Sequence, residues 1–270
     1  MNPLLFNLSA LAALVPAALL PYLRGRQAGE DVRGAAFWAV LAAAAAGALA
    51  WTWAIHAAGW RTGIGPSLWI TISLSLVLFM IVAAASAAFA RLICLFAPYT
   101  VLLGLIATVW AQVPGRPAPA TAAAAWLNLH IAVSVLTYAL ITLAAVAALG
   151  VVLQERALKA RRPARLTALL PSVSEGESLQ VRLLTASAVV LGLGLATGMV
   201  IEVLDHGVIL EFNHKVLLSI LSFAVIVGLL LVHRVTGLAG RRAARYLLIA
   251  YLLLTLGYPG VKFVTDVIIA

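Results

Sequence analysis

Residues 126–153 read WLNLHIAVSVLTYALITLAAVAALGVVL. These 28 residues contain no aspartate, glutamate, lysine or arginine, and as a helix they exceed the roughly 30 Å of a bilayer's hydrocarbon core. Lipid offers no water to exposed backbone groups, so a run of this length must span as a helix. One residue breaks the apolar pattern. His130 sits near the start of the run, and an ionisable group in a spanning segment needs a partner to offset its burial, which for charges near the centre reaches about 2.5 kcal/mol or more.

The rest of the chain has the same character. Of its 270 residues 64% are hydrophobic and 10% charged, with a mean hydropathy of +1.09, a balance no soluble globular class shows. Apolar runs near 4–23, 35–58, 68–90, 92–112, 126–153, 183–204, 212–233 and 245–265 predict an all-α polytopic membrane helix bundle of eight transmembrane helices. They form a single integral membrane domain over 1–270. The third and fourth runs nearly merge and are divided at Arg91. Almost no basic residue precedes the first run, which therefore reads as a retained span and not a cleaved signal. The lone Cys94 lies in an apolar run, which gives neither a disulfide framework nor a cysteine metal motif.

Placing the N-terminus outside puts 14 of the 18 lysines and arginines on the inner side, in connections at 24–33, 91, 156–182 and 234–245. The outer side keeps Arg61, Arg116, Lys215 and Lys262. Basic charge concentrates in inner loops, so this division predicts both termini outside and explains the +9 net charge without a nucleic-acid partner. The inner loop 154–182 opens with ERALKARR, which continues the fifth helix until Pro163 ends it. That basic run reads as a topology determinant, with anionic lipid headgroups as an alternative contact. The outer segment 113–125, VPGRPAPATAAAA, reads as a flexible connector.

This topology sorts the five histidines. His130 lies about one turn inside the outer end of span five, His214 at the outer start of span seven, His56 at the outer end of span two and His206 in the outer loop 205–211. His233 alone is inside, roughly 28 Å from His214 along one helix. From His130, Ser134, Thr137 and Tyr138 follow at i+4, i+7 and i+8, on one helix face that should point into the bundle. Such a stripe serves interhelical hydrogen bonding or lines a site.

Two neutral imidazoles from different helices at one depth, with apolar walls around them, form the arrangement that holds haem iron. His130 and His214 are the candidate iron ligands, with Ser134, Tyr138 and the interfacial Trp126 beside them. His206 and His233 complete the candidate cofactor-binding set, with His206 or His56 the next ligand candidate; taken singly, His206 and His56 read as interfacial residues, and His233, beside Arg234, as a helix-end residue favoured by the helix dipole. Zinc or copper would need a fuller ligand set than Asp205 and Glu211 offer. Iron-binding imidazoles must be neutral, so haem binding should weaken as pH falls below the histidine range.

Three stretches carry a resemblance. They are LNLHIAVSVLTYALITLAAVAAL at 127–149, LTALLPSVSEGESL at 166–179, and FNHKVLLSILSFAVIVGLLLVHRVTGLAGRRAARYLLIAYLLLTLGYPGVKFV at 212–264. Together they resemble the cytochrome c assembly protein family of the CcsA/CcmC type, closest to its compact eight-span, YpjD/HemX-like inner-membrane branch. The likeness covers about residues 126–266, and the first half only in span count and polarity. It implies a multi-pass protein of the bacterial inner (cytoplasmic) membrane whose outer histidines bind haem. His130 falls on an external axial-ligand position, and His233 on the inner-end histidine before Gly237-Leu238-Ala239-Gly240-Arg241. Asn213 and Lys215 fall where larger members have Asp-Pro-Lys, and His214 replaces the proline. The tryptophan-rich segment that precedes this motif in cytochrome-building members is absent from VLDHGVILEFN at 203–213, and no further histidine follows the last span.

The expected function is therefore that of a haem-binding protein that handles or senses haem in cytochrome c or haem-cofactor assembly, by ligation and not turnover. No nucleophile–base pair or membrane carboxylate dyad argues for an enzyme, and Glu202 reads as interfacial. The alternative is an accessory or regulatory subunit of another membrane complex or transporter, without haem. Expected partners are haem, membrane lipid and other cytochrome-assembly or transporter subunits. A solute transporter would show paired helix breaks in both halves, whereas only Gly192, Gly194 and Gly198 loosen span six.

Overall fold

The computed structural model describes residues 3–23, 31–57, 59–110, 116–117, 124–161, 164–207, 214–237 and 240–256, with only the backbone of Arg116, Pro117, His206, His214 and Lys215. These residues form ten helices: α1 (Pro3–Leu23), α2 (Ala35–His56), α3 (Ile64–Ala85), α4 (Ala87–Ala90), α5 (Ile93–Val109), α6 (Ala124–Ala160), α7 (Arg165–Leu169), α8 (Val173–His206), α9 (His214–Thr236) and α10 (Gly240–Thr255). A two-residue antiparallel pair, β1 (Arg61–Thr62) with β2 (Arg116–Pro117), ties two connections together. Six helices, α1, α2, α3, α6, α8 and α9, are long and apolar enough to cross a membrane, and α5 is a shorter apolar helix. The chain is an all-α, multi-pass membrane protein.

The helices pack as two rings of four. In the first, α1 rests on α2 and α5, and α3 closes the ring against the same two. In the second, α6 rests on α8 and α10, and α9 closes the ring against the same two. A seam of α3 against α6 joins the rings. Between helices in lipid, stability comes from close packing and interhelical hydrogen bonds, because the tails are as apolar as the side chains. Accordingly Gly47 lies where Ala13 of α1 would sit 2.8 Å from an added Cβ. Gly104 likewise receives Leu11 and Leu14. The first ring is filled by aromatics: Phe79 stacks on Phe96 at 4.5 Å and lies 4.9 Å from Phe89.

The helix ends follow local chemistry. The third and fourth runs part at Arg91, where a turn at 91–92 precedes α5, and a further break falls inside the third run at Ser86, which is extended and accepts the Phe89 N–H with its hydroxyl to cap the short α4. Ser172 and Glu175 form a capping box that starts α8 ten residues earlier than the apolar run suggests. The expected inner loop 154–182 is thus largely helical, as the last turns of α6, then α7, then the first turns of α8. Gln154 crosses this connection and donates to the carbonyls of Thr167 and Pro171. Pro163, most of the 113–125 connector and residues 257–265 of the expected last span lie outside the described residues.

Candidate functional site

His130 is half-buried on α6, in its second turn, facing α8. Its Nδ1 lies 3.1 Å from the Gly194 carbonyl oxygen and 3.1 Å from Thr197 Oγ1. A carbonyl only accepts, and Thr197 donates its own hydroxyl hydrogen to the same Gly194 oxygen at 3.0 Å. Nδ1 therefore carries the ring proton, and Nε2 keeps its lone pair. Ser134 Oγ approaches Nε2 to 3.5 Å, too long to hold that lone pair firmly.

Glycine makes the approach possible. A Cβ on Gly198 would sit 3.2 Å from His130 Cε1 and 3.6 Å from Nδ1, and one on Gly194 would sit 3.5 Å from Val133. Gly192 turns to the opposite flank, where an added Cβ would sit 3.4 Å from the Phe223 ring of α9. The three glycines do not interrupt α8, which runs unbroken through them. They are contact points for two neighbouring helices. The burial of His130 is thus offset by a backbone carbonyl and a hydroxyl of α8.

The stripe below His130 faces inward. Thr137 and Thr142 are buried. Tyr138 donates its hydroxyl to the Leu254 carbonyl of α10, and Thr142 reaches the Tyr251 hydroxyl at 3.3 Å. Tyr251 in turn pairs with Tyr99 of α5. This network clamps α10 to α6 and α5, so Tyr138 acts on helix packing about two turns from the His130 ring. Trp126 is 41% exposed near the start of α6, as an interfacial anchor would be.

The remaining histidines divide. His214 is the first residue of α9 and His206 the last of α8, and the side chains of both lie outside the described residues. The α6 and α9 helices stand diagonally across the second ring, which brings the His130 and His214 helices to opposite walls of one interior. Both helices also pack on α8, His130 beside Gly194 and Gly198 and Phe223 of α9 beside Gly192. His56 ends α2 in the first ring, with Nδ1 at 2.9 Å from the Thr52 carbonyl and its ring against Trp60. His233 is in the last turn of α9, at the opposite end of the bundle. Among the described residues no group of three or more His, Cys, Asp or Glu could hold a metal ion, and Cys94 is free and buried.

The Thr197 and Gly198 contacts were not singled out from the sequence. The signal was there in GLATG at 194–198, a Gly-x-x-x-Gly spacing of the kind that lets helices approach closely.

Residues 35–269 match the cytochrome C assembly protein family. An uncharacterized 28.8 kDa protein in the nifR3-like 5' region of Azospirillum brasilense is 51% identical over 266 residues, which is 98% of each chain. No solved structure matches.

Proposed function

The chain belongs to the cytochrome c assembly protein family, and on that premise we propose that it binds haem near the outer membrane face, between His130 and His214, to handle or sense haem during cytochrome c or haem-cofactor assembly. The observation that carries this reading is the contact of His130 Nδ1 with the Gly194 carbonyl oxygen at 3.1 Å. The Nδ1 proton is committed to the Gly194 carbonyl, which orients the ring and raises the basicity of the other nitrogen, as backbone partners do for metal-bound imidazoles. Nε2 is left as the donor atom.

The donor set suits haem better than zinc. Zinc asks for three or four protein ligands, whereas haem iron needs two axial imidazoles and apolar walls for the macrocycle. His130 and His214 would be the two residues that hold it. Ser134 would release Nε2 at little cost, and Thr197 would hold the ring from behind. Haem held in this way supplies a one-electron iron couple. Loss of bound haem on His130→Ala in folded protein tests the assignment.

We further propose eight spans with both termini outside, in a bacterial inner membrane. The division of basic charge supports it. Reporter fusions within 157–165 should score as cytoplasmic, and fusions at residue 118 or at the C-terminus as external. A cytoplasmic score at residue 118 would overturn this arrangement.

A further inference from the structure

We propose a second site, at the opposite end of the bundle from His130, that binds a phosphate group in a cavity of about 450 Å³ lined by Glu155, Lys159, Arg241, Arg242 and Arg245. It is independent of the haem reading. Glu155 lies 25 residues after His130 on the unbroken α6 helix, so the two sites are roughly 37 Å apart.

The charges here are arranged against the helix they sit on. Residue 240 opens α10 with φ +66°, and Arg241, Arg242 and Arg245 occupy its first two turns, with no acidic residue in the first. A helix N-terminus carries unsatisfied N–H groups and a positive partial charge, which favour acidic side chains and disfavour arginine. Topology alone asks for basic residues on this side of the membrane. It does not ask three of them to converge with Lys159 of a different helix on one cavity.

The helix end already accepts an anion. Glu155 Oε1 accepts the Arg241 backbone N–H at 2.8 Å, and its Oε2 lies 3.4 Å from Lys159 Nζ. Both Glu155 and Glu177 press against Gly240, where a side chain would collide with the Glu155 carboxylate. Two carboxylates therefore face four cations and a positive helix end. Arg241 Nε is buried without a hydrogen-bond partner, an expensive state for a charged donor unless a ligand completes it. Arginine forks match the oxygens of a phosphate group, and a helix N-terminus adds backbone donors to the same oxygens. Arg242 and Arg245 are exposed at the rim, where they can meet a phosphodiester of an anionic lipid headgroup or a free phosphate.

The test uses the purified full-length protein in two arms. One measures phosphatidylglycerol retained by native mass spectrometry from phosphatidylcholine nanodiscs doped with it. The other titrates inorganic phosphate at constant ionic strength and follows thermal stability. The double variant R242Q/R245Q is compared with R161Q/R165Q, which removes the same charge from the same face outside the cavity. Both pairs are exposed, so folding is preserved. We expect R242Q/R245Q to weaken binding by about tenfold in at least one arm, because glutamine removes the two charges that attract the anion at the exposed rim, while R161Q/R165Q stays at wild type. A response in the nanodisc arm alone assigns the lipid headgroup, and one in the phosphate arm assigns free phosphate. Identical behaviour of the two double variants in both arms overturns the site.

Discussion

His130→Ala is expected to lower haem affinity at least about a hundredfold and to leave the protein folded. Disturbing only the outer partner of a metal-bound imidazole typically costs roughly 10- to 100-fold in affinity, so removing the imidazole itself should cost no less. The fold should survive because the Gly194 carbonyl keeps its bond from Thr197 at 3.0 Å when the ring is gone. The space left behind lies at the α6–α8 interface near the start of α6, away from the buried run from Leu143 to Ala148 further along that helix. His233→Ala serves as the matching control. It lies at the far end of α9, and haem content should not change. Haem-to-protein ratio after reconstitution and gel filtration measures both. Full haem retention by folded His130→Ala protein would remove His130 from the ligand set.

Gly198→Val should have the second-largest effect, and it separates backbone approach from ligation. The first added carbon would already sit 3.2 Å from His130 Cε1, tighter than an ordinary contact, and valine adds two methyls to it. Either α6 and α8 move apart or the imidazole turns away from Gly194. Overpacking of this kind costs about 1–3 kcal/mol, and the lost orientation of the ring should weaken haem binding by about tenfold or more. Gly228→Ala in α9 is the contrast: nothing lies within 4 Å of its added Cβ, so the change should be neutral or slightly stabilising through helix propensity. Thermal unfolding in detergent and a haem titration read the two consequences. If Gly198→Val matches wild type in both, α8 does not hold the His130 ring.

The helices were legible because lipid enforces them. A 28-residue uncharged run has one foldable answer, and the face from His130 through Ser134 and Thr137 to Thr142 turned inward as its spacing required. Ends were harder to read. The division at Arg91 was legible from its charge, whereas the extra break at Ser86 inside the third run was not, because there a hydroxyl that caps the next helix stops α3 within an apolar stretch. The start of α8 was hidden because its first turns are polar, and there the Ser172–Glu175 capping box, not hydropathy, marks the boundary. At the candidate site the histidine itself was legible and its partners were not. A backbone carbonyl has no letter of its own, so Gly194 and Thr197 could be reached only through the Gly-x-x-x-Gly spacing that brings α8 close.

Ligation of one iron by His130 and His214 is tested most directly by the optical spectrum of the haem-loaded wild-type protein beside that of His214→Ala. Two imidazoles give low-spin iron, with sharp bands on reduction, and removal of one should yield a high-spin spectrum or an empty protein. We expect low-spin wild type and a high-spin or haem-free variant. An unchanged low-spin spectrum in His214→Ala, or a folded wild-type protein that takes up no haem at all, would contradict it.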